Sequence, residues 1–156
     1  MSIYSLLYVA EIERSIRKIY ELIGEGGMAI IAMSPKRKPL NEPNYHVARR
    51  LYGQTPYYDE DTQKVLTEFN IPFRQEKIEF LVNITECFKQ DSELRTPLLN
   101  FIVGAKTADF SPLQLQLLLD YFESCGQKME VGEIMLPHFG VLFYISCSKS
   151  KVRVMK

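Results

Sequence analysis

Met1-Ser2-Ile3-Tyr4-Ser5-Leu6-Leu7-Tyr8-Val9 reads as the end of a buried strand, and the two elements after it decide the fold. A helix is predicted from about Ala10 to Ile23. Ile12, Ile16, Ile19, Tyr20 and Ile23 fall on one face, while Glu11, Arg14, Arg17, Lys18 and Glu21 occupy the other. Gly24 stands where a left-handed C-cap is expected. After Gly24-Glu25-Gly26-Gly27 comes Met28-Ala29-Ile30-Ile31-Ala32-Met33, apolar on both faces as a central strand between helices should be. Strand, helix, strand is a β-α-β unit entered in its middle. Open α/β folds of this kind place a glycine-rich, nucleotide-binding turn after their first strand. The expectation is therefore that this chain is the second half of a nucleotide-using α/β domain, with that turn belonging upstream of residue 1.

The remaining elements agree with a mixed α/β sheet of four or five strands. Pro35, Pro39 and Pro43 make Ser34–Pro43 a loop, in which Lys36-Arg37-Lys38 reads as a solvated basic run. A short helix is predicted around Tyr45–Tyr52. Asp59 is expected to cap a further helix running to about Phe69, with Asp59, Glu60 and Asp61 complementing its positive end and Val65, Leu66 and Phe69 on its apolar face. Phe73–Val82 reads as a strand because Ile78, Phe80 and Val82 alternate. Thr85–Phe88 and Thr96–Val103 read as short helices. Ser111-Pro112 starts another helix, with Leu113, Leu117, Leu118, Tyr121 and Phe122 expected on its buried face. Met129–Leu136 and Gly140–Cys147 are expected to form an antiparallel hairpin bent at Pro137-His138-Phe139. One domain over residues 1–147 and a basic tail over 148–156 complete the expected organisation.

Composition narrows the classes of function. In 156 residues, 46% hydrophobic and 24% charged, Lys plus Arg and Asp plus Glu number 19 each. That balance gives no electrostatic reason to expect a nucleic-acid or acidic membrane partner. No apolar run approaches the roughly 20 residues needed to span a bilayer. The N-terminus lacks a basic region and a small-residue cleavage site, so it does not read as a signal peptide. Cys87, Cys125 and Cys147 are odd in number and far apart, which fits reduced thiols in a cytoplasmic protein better than a disulfide framework. Two histidines and three scattered cysteines offer no metal-ligand spacing. No nucleophile motif or phosphate loop is present.

Three segments, in order, resemble the C-terminal half of the class I S-adenosylmethionine-dependent methyltransferases, and within them the histamine N-methyltransferase family. The first is Ile3–Val9, closing in Tyr8-Val9, with the helix and strand after it. The second is Tyr57-Tyr58-Asp59-Glu60-Asp61 through Phe69-Asn70-Ile71-Pro72. The third is Phe80-Leu81-Val82-Asn83-Ile84-Thr85-Glu86-Cys87-Phe88. The paired strands ending Leu142-Phe143-Tyr144-Ile145 are similar to the antiparallel hairpin that closes the methyltransferase sheet. The resemblance implies the C-terminal half of a Rossmann-like sheet, carrying the substrate side of a small-molecule amine N-methyltransferase. S-adenosylmethionine would be the cofactor of the full-length parent, and this chain alone would not hold it tightly. The family's amine-anchoring amides do not carry over: their places fall near Tyr4 or Ser5 and near His138 or Phe139, so histamine itself is not implied.

Amine methylation needs a deprotonated acceptor held in line with the methyl donor and shielded from water. Aromatic walls suit a sulfonium or ammonium, and Tyr4, Tyr8, Tyr57, Tyr58 and Phe139 are the candidates. His138 is the candidate acid-base group, able to take a proton near neutral pH. Each aromatic also fits ordinary core packing, and His138 also fits a solvated turn. His46, beside Arg49 and Arg50, reads as a surface residue. The alternative to an enzyme is a non-catalytic truncated homologue serving as a binding or interaction module. Its first strand would present an unpaired edge for self-association or for a complementary half.

Overall fold

A computed structural model describes residues 2–3, 5–53 and 55–147. Tyr4 and the basic tail at 148–156 lie outside the described residues. The element order is β1 (Ser2–Ile3), a 3-10 turn (Ser5–Tyr8), α1 (Ile12–Ile23), β2 (Met28–Met33), α2 (Glu42–Tyr52), α3 (Asp59–Glu68), β3 (Phe73–Asn83), α4 (Arg95–Val103), α5 (Pro112–Cys125), β4 (Gln127–Lys128) and β5 (Ile134–Ser146). Further 3-10 turns cover Thr85–Phe88 and Thr107–Asp109. The strands follow the order β1-β2-β5-β3, with β4 paired to β5. β1 and β2 are parallel, and β5 lies antiparallel to β2 with Met28 opposite Ser146 and Met33 opposite Val141. The mixed α/β fold and the internal position of β2 are as the sequence predicts, and the sheet contains antiparallel closing pairs.

Two units divide the chain. The first holds the described residues through Ser34, Tyr57–Lys77 and those from Gly140 onward. Here α1 packs on α3 and on β2. Ile16 of α1, Leu66 of α3, Ile31 and Met33 of β2, and Phe143 and Ile145 of β5 are fully buried. Side chains of this size contribute about 1.5–3 kcal/mol each when removed from water. α3 begins one residue earlier in capping terms than expected. Tyr58, not Asp59, is the N-cap, and its N–H donates to Asp61 Oδ2 at 2.8 Å.

The second unit holds Pro35–Pro56 and Ile78–Phe139. Its core joins Ile84, Cys87, Leu99, Ile102, Leu119, Phe122 and Leu136. α5 starts as predicted: Ser111 Oγ accepts from Gln114 N–H at 3.3 Å while Gln114 Oε1 accepts from Ser111 N–H at 2.8 Å, a reciprocal capping box. Its buried face is corrected. Leu113 and Leu117 are 68% and 59% exposed, whereas Leu119 and Phe122 are buried, with Leu115 and Leu118 packed beside them.

The predicted hairpin bend is also corrected. Pro137, His138 and Phe139 lie inside one strand, Ile134–Ser146, which does not turn there. The hairpin is instead β4–β5, with Gln127 opposite Met135. Its turn is closed by Met129 N–H donating to Glu133 O at 2.8 Å and by Gly132, whose φ of 82° suits glycine. Proline is tolerated in the strand for a local reason. Odd-numbered residues of β5 direct their backbone groups away from β3, as Cys147 does in bonding Gly26 and Gly27. On that side β5 pairs with β4 at 134–135 and with β2 at 141–146, leaving Pro137 in the gap, where its missing N–H breaks no described ladder bond.

Candidate functional site

In the first unit, the carboxyl ends of both parallel strands are tied to the start of α3. β1 leads directly into Ser5–Tyr8, and Leu7 O accepts from Tyr57 N–H at 3.0 Å. β2 ends at Met33, and Ser34 O accepts from Asp59 N–H at 3.1 Å. Tyr57 therefore sits beside the Leu7–Tyr8 backbone, and its hydroxyl donates to Ala10 O at 3.4 Å. Open α/β sheets bind ligands outside the carboxyl ends of their strands, and this rim is such a place. Tyr8 is 75% exposed on it, Tyr57 is half-buried, and Tyr58 is buried at 3% exposure as the helix cap. The adjoining cavity of about 780 Å³ lies along α1 and α3, with Tyr57, Arg14, Arg17, Asp61 and Lys64 in its lining.

In the second unit, His138 is the chemically distinctive residue. It is a strand residue at 6% exposure, neither a turn residue nor a solvated one. Its ring meets Phe80 edge-on at 5.2 Å between centroids and stacks at 6.4 Å against Phe139. Lys38 Nζ stands 4.9 Å from the Phe139 centroid. Burial, and then the charge of Lys38, hold the imidazole below its ordinary pKa, so near neutral pH it is the uncharged base. A hollow of about 380 Å³ is lined by Lys38, Glu79, Phe80, Leu81, His138 and Phe139, among others.

Tyr8, Tyr57 and Tyr58 thus share the first unit's rim, and His138 and Phe139 share the second unit's hollow. Phe80 and Lys38 were not candidates from sequence. Phe80 had a usable signal, since it belongs to the alternating series that predicted β3. Lys38 lay in a run that reads as solvated, and nothing in the sequence distinguishes it from Lys36, whose Nζ lies 4.7 Å from the Tyr45 centroid. His46 is exposed, as expected. Cys87 is not poised as a nucleophile: burial in the core pushes its thiol up to about 11. Among the described residues no group of His, Cys, Asp and Glu is placed to hold a metal ion, and no helix is long and apolar enough to cross a membrane.

No family model matches the chain, and no curated protein matches it. Among solved structures, a Bacillus halodurans protein provisionally described as a methyltransferase is 12% identical, with a TM-score of 0.49. The match covers 92% of this chain and 61% of that one. The YcgJ protein from Bacillus subtilis is 13% identical with a TM-score of 0.49, over 94% of this chain and 64% of its own. The chain thus spans less than two thirds of the length of either.

Proposed function

We propose that this chain is the substrate-side half of an S-adenosylmethionine-dependent small-molecule methyltransferase with an amine as acceptor. One observation carries the reading. β1 and β2 run parallel, and the last strand returns antiparallel between β2 and β3. That is the closing arrangement that the resemblance to methyltransferases implies, with an aromatic rim at the carboxyl ends of the parallel strands. His138 supplies the acid-base group on this reading. The neutral imidazole would accept a hydrogen bond or proton from the acceptor amine, while Phe80 and Phe139 would shield it from water.

The described residues do not by themselves fit the nucleoside of the methyl donor. β1 passes into Ser5–Tyr8 without a glycine-rich turn, and the glycines at 24, 26 and 27 precede β2 instead. No step is therefore assigned to the donor on this chain. Titration calorimetry with S-adenosylmethionine should show weak binding or none. Proton NMR with histamine and other aromatic amines should shift the His138 ring resonances saturably. Micromolar donor binding near one-to-one stoichiometry would overturn the half-domain reading, and amines that leave His138 unmoved would overturn the amine acceptor.

A further inference from the structure

The hollow beside His138 carries a charge that the amine reading does not use. Lys38, Phe80, His138 and Phe139 all line it, and all belong to the second unit. Lys38 is half-buried, and its Nζ lies over the ring of Phe139, 4.9 Å from the centroid. A ring face attracts an ammonium but gives its three N–H donors no oxygen acceptor. Other lysines of the chain have one: Lys18 pairs with Glu21, Lys89 with Glu86 and Lys128 with Glu123. Among the described residues no carboxylate is paired in that way with Lys38. Glu79 also lines the hollow, but it has an interaction of its own within the chain.

Charge then decides what the hollow admits. Lys38 already helps to keep the His138 imidazole neutral, because a second cation beside it is disfavoured. An acceptor amine that arrives as an ammonium meets the same opposition. A carboxylate on the same molecule removes it, by accepting charge-assisted hydrogen bonds from the Lys38 ammonium. One lysine matches one negative charge. A phosphate monoester carries about two, and among the described residues of this wall no second Lys or Arg is present to meet them. The volume of about 380 Å³ and the rings of Phe80 and Phe139 suit a small ring-bearing molecule.

We propose that the hollow takes an amine that also bears a carboxylate, with the carboxylate on Lys38 and the amine toward His138. The proposal deepens the amine-acceptor reading and rests on it for the amine. Three probes of one shape separate the parts. 4-(Aminomethyl)benzoate carries both groups, benzylamine lacks the carboxylate, and 4-methylbenzoate lacks the amine. The His138 ring protons are followed by NMR at about pH 8, where the imidazole stays uncharged with or without Lys38. 4-(Aminomethyl)benzoate should bind with a Kd about tenfold below that of benzylamine. Lys38→Met should abolish that advantage, Lys38→Arg should keep it, and Lys36→Met, in the same loop, should leave it unchanged. Equal Kd values for the two amines, or an advantage that survives Lys38→Met, would overturn the proposal and leave the amine reading standing. 4-Methylbenzoate binding as tightly as 4-(aminomethyl)benzoate, and lost in Lys38→Met, would keep the carboxylate site on Lys38 and overturn the amine. No saturable shift with any of the three would overturn both.

Discussion

β5 is one strand with two characters. From Val141 to Ser146 it alternates like a scaffold: Val141, Phe143 and Ile145 are buried, and β2 pairs with it at every position from Val141 to Ser146. From Ile134 to Phe139 the buried residues are Leu136 and His138, a proline interrupts the amide series, and the strand partner on the odd-residue side covers only the first two residues. The first stretch can do little besides hold the sheet together. The second puts a buried, uncharged base among aromatic rings. The gap in the ladder on the odd-residue side admits Pro137, while His138, an even-numbered residue, is held between Phe80 and Phe139.

That contrast breaks first at Phe143. Its ring is fully buried and lies 5.8 Å from that of Phe73. Phe143→Ala should cost about 3–5 kcal/mol, a large share of the roughly 5–15 kcal/mol available to a chain of this kind. Phe139→Ala, on the half-buried side of the same strand, should cost clearly less. Urea denaturation of both variants measures the difference, and equal losses would erase the distinction between the two stretches.

A smaller effect separates them by pH. His138 is held below its unfolded pKa by burial and by Lys38, so the folded state binds that proton less readily than the unfolded chain does. Stability from this residue is therefore full above the ordinary histidine pKa and falls as pH drops through that value toward the lower folded one. His138→Gln should flatten this acid-side loss, while Phe143→Leu should leave it in place. Thermal melts between pH 8 and 5, about the span over which histidine titrates, give the comparison. An unchanged slope in His138→Gln would mean that other groups set the pH response.

The two stretches also differ in how readable they were. Phe143 and Ile145 announce themselves by alternation. Pro137-His138-Phe139 reads as a bend because turn propensity is local, whereas the gap that lets the strand run through Pro137 depends on where β2 and β4 stop pairing. The true turn carried a weaker signal, Val131-Gly132, in a segment that reads as strand. α5 shows the same limit. Its capping box was legible from Ser111-Pro112, but leucines at 113, 115, 117, 118 and 119 populate both faces, so periodicity alone could not choose the buried one. Tyr8, Tyr57 and Tyr58 read from sequence as part of one candidate group with Tyr4, His138 and Phe139, and nothing local in the sequence separates the tyrosines beside Leu7 and Ala10 from the pair beside Phe80. Phe80 was legible only as a strand residue, since its pairing with His138 is a matter of register.

The finest test of the contrast is Lys38→Met. Lys38 acts on His138 through charge, and its ammonium stands 4.9 Å from the Phe139 ring centroid. Losing a partly exposed cation–π contact costs on the order of 0.5–1 kcal/mol, and the methionine chain retains part of the packing. Stability should therefore move by less than about 1 kcal/mol. The titration should respond more clearly. With the neighbouring positive charge gone, protonating His138 meets less opposition, so its pKa should rise toward the ordinary histidine value without reaching it, because burial is the larger cause and remains. Following the His138 ring protons by NMR across pH in both proteins decides the matter. A midpoint that stays put would make burial alone responsible and remove Lys38 from the site. A midpoint that returns fully to the ordinary value would instead make Lys38 the dominant influence, and the hollow an electrostatic device more than a dry one.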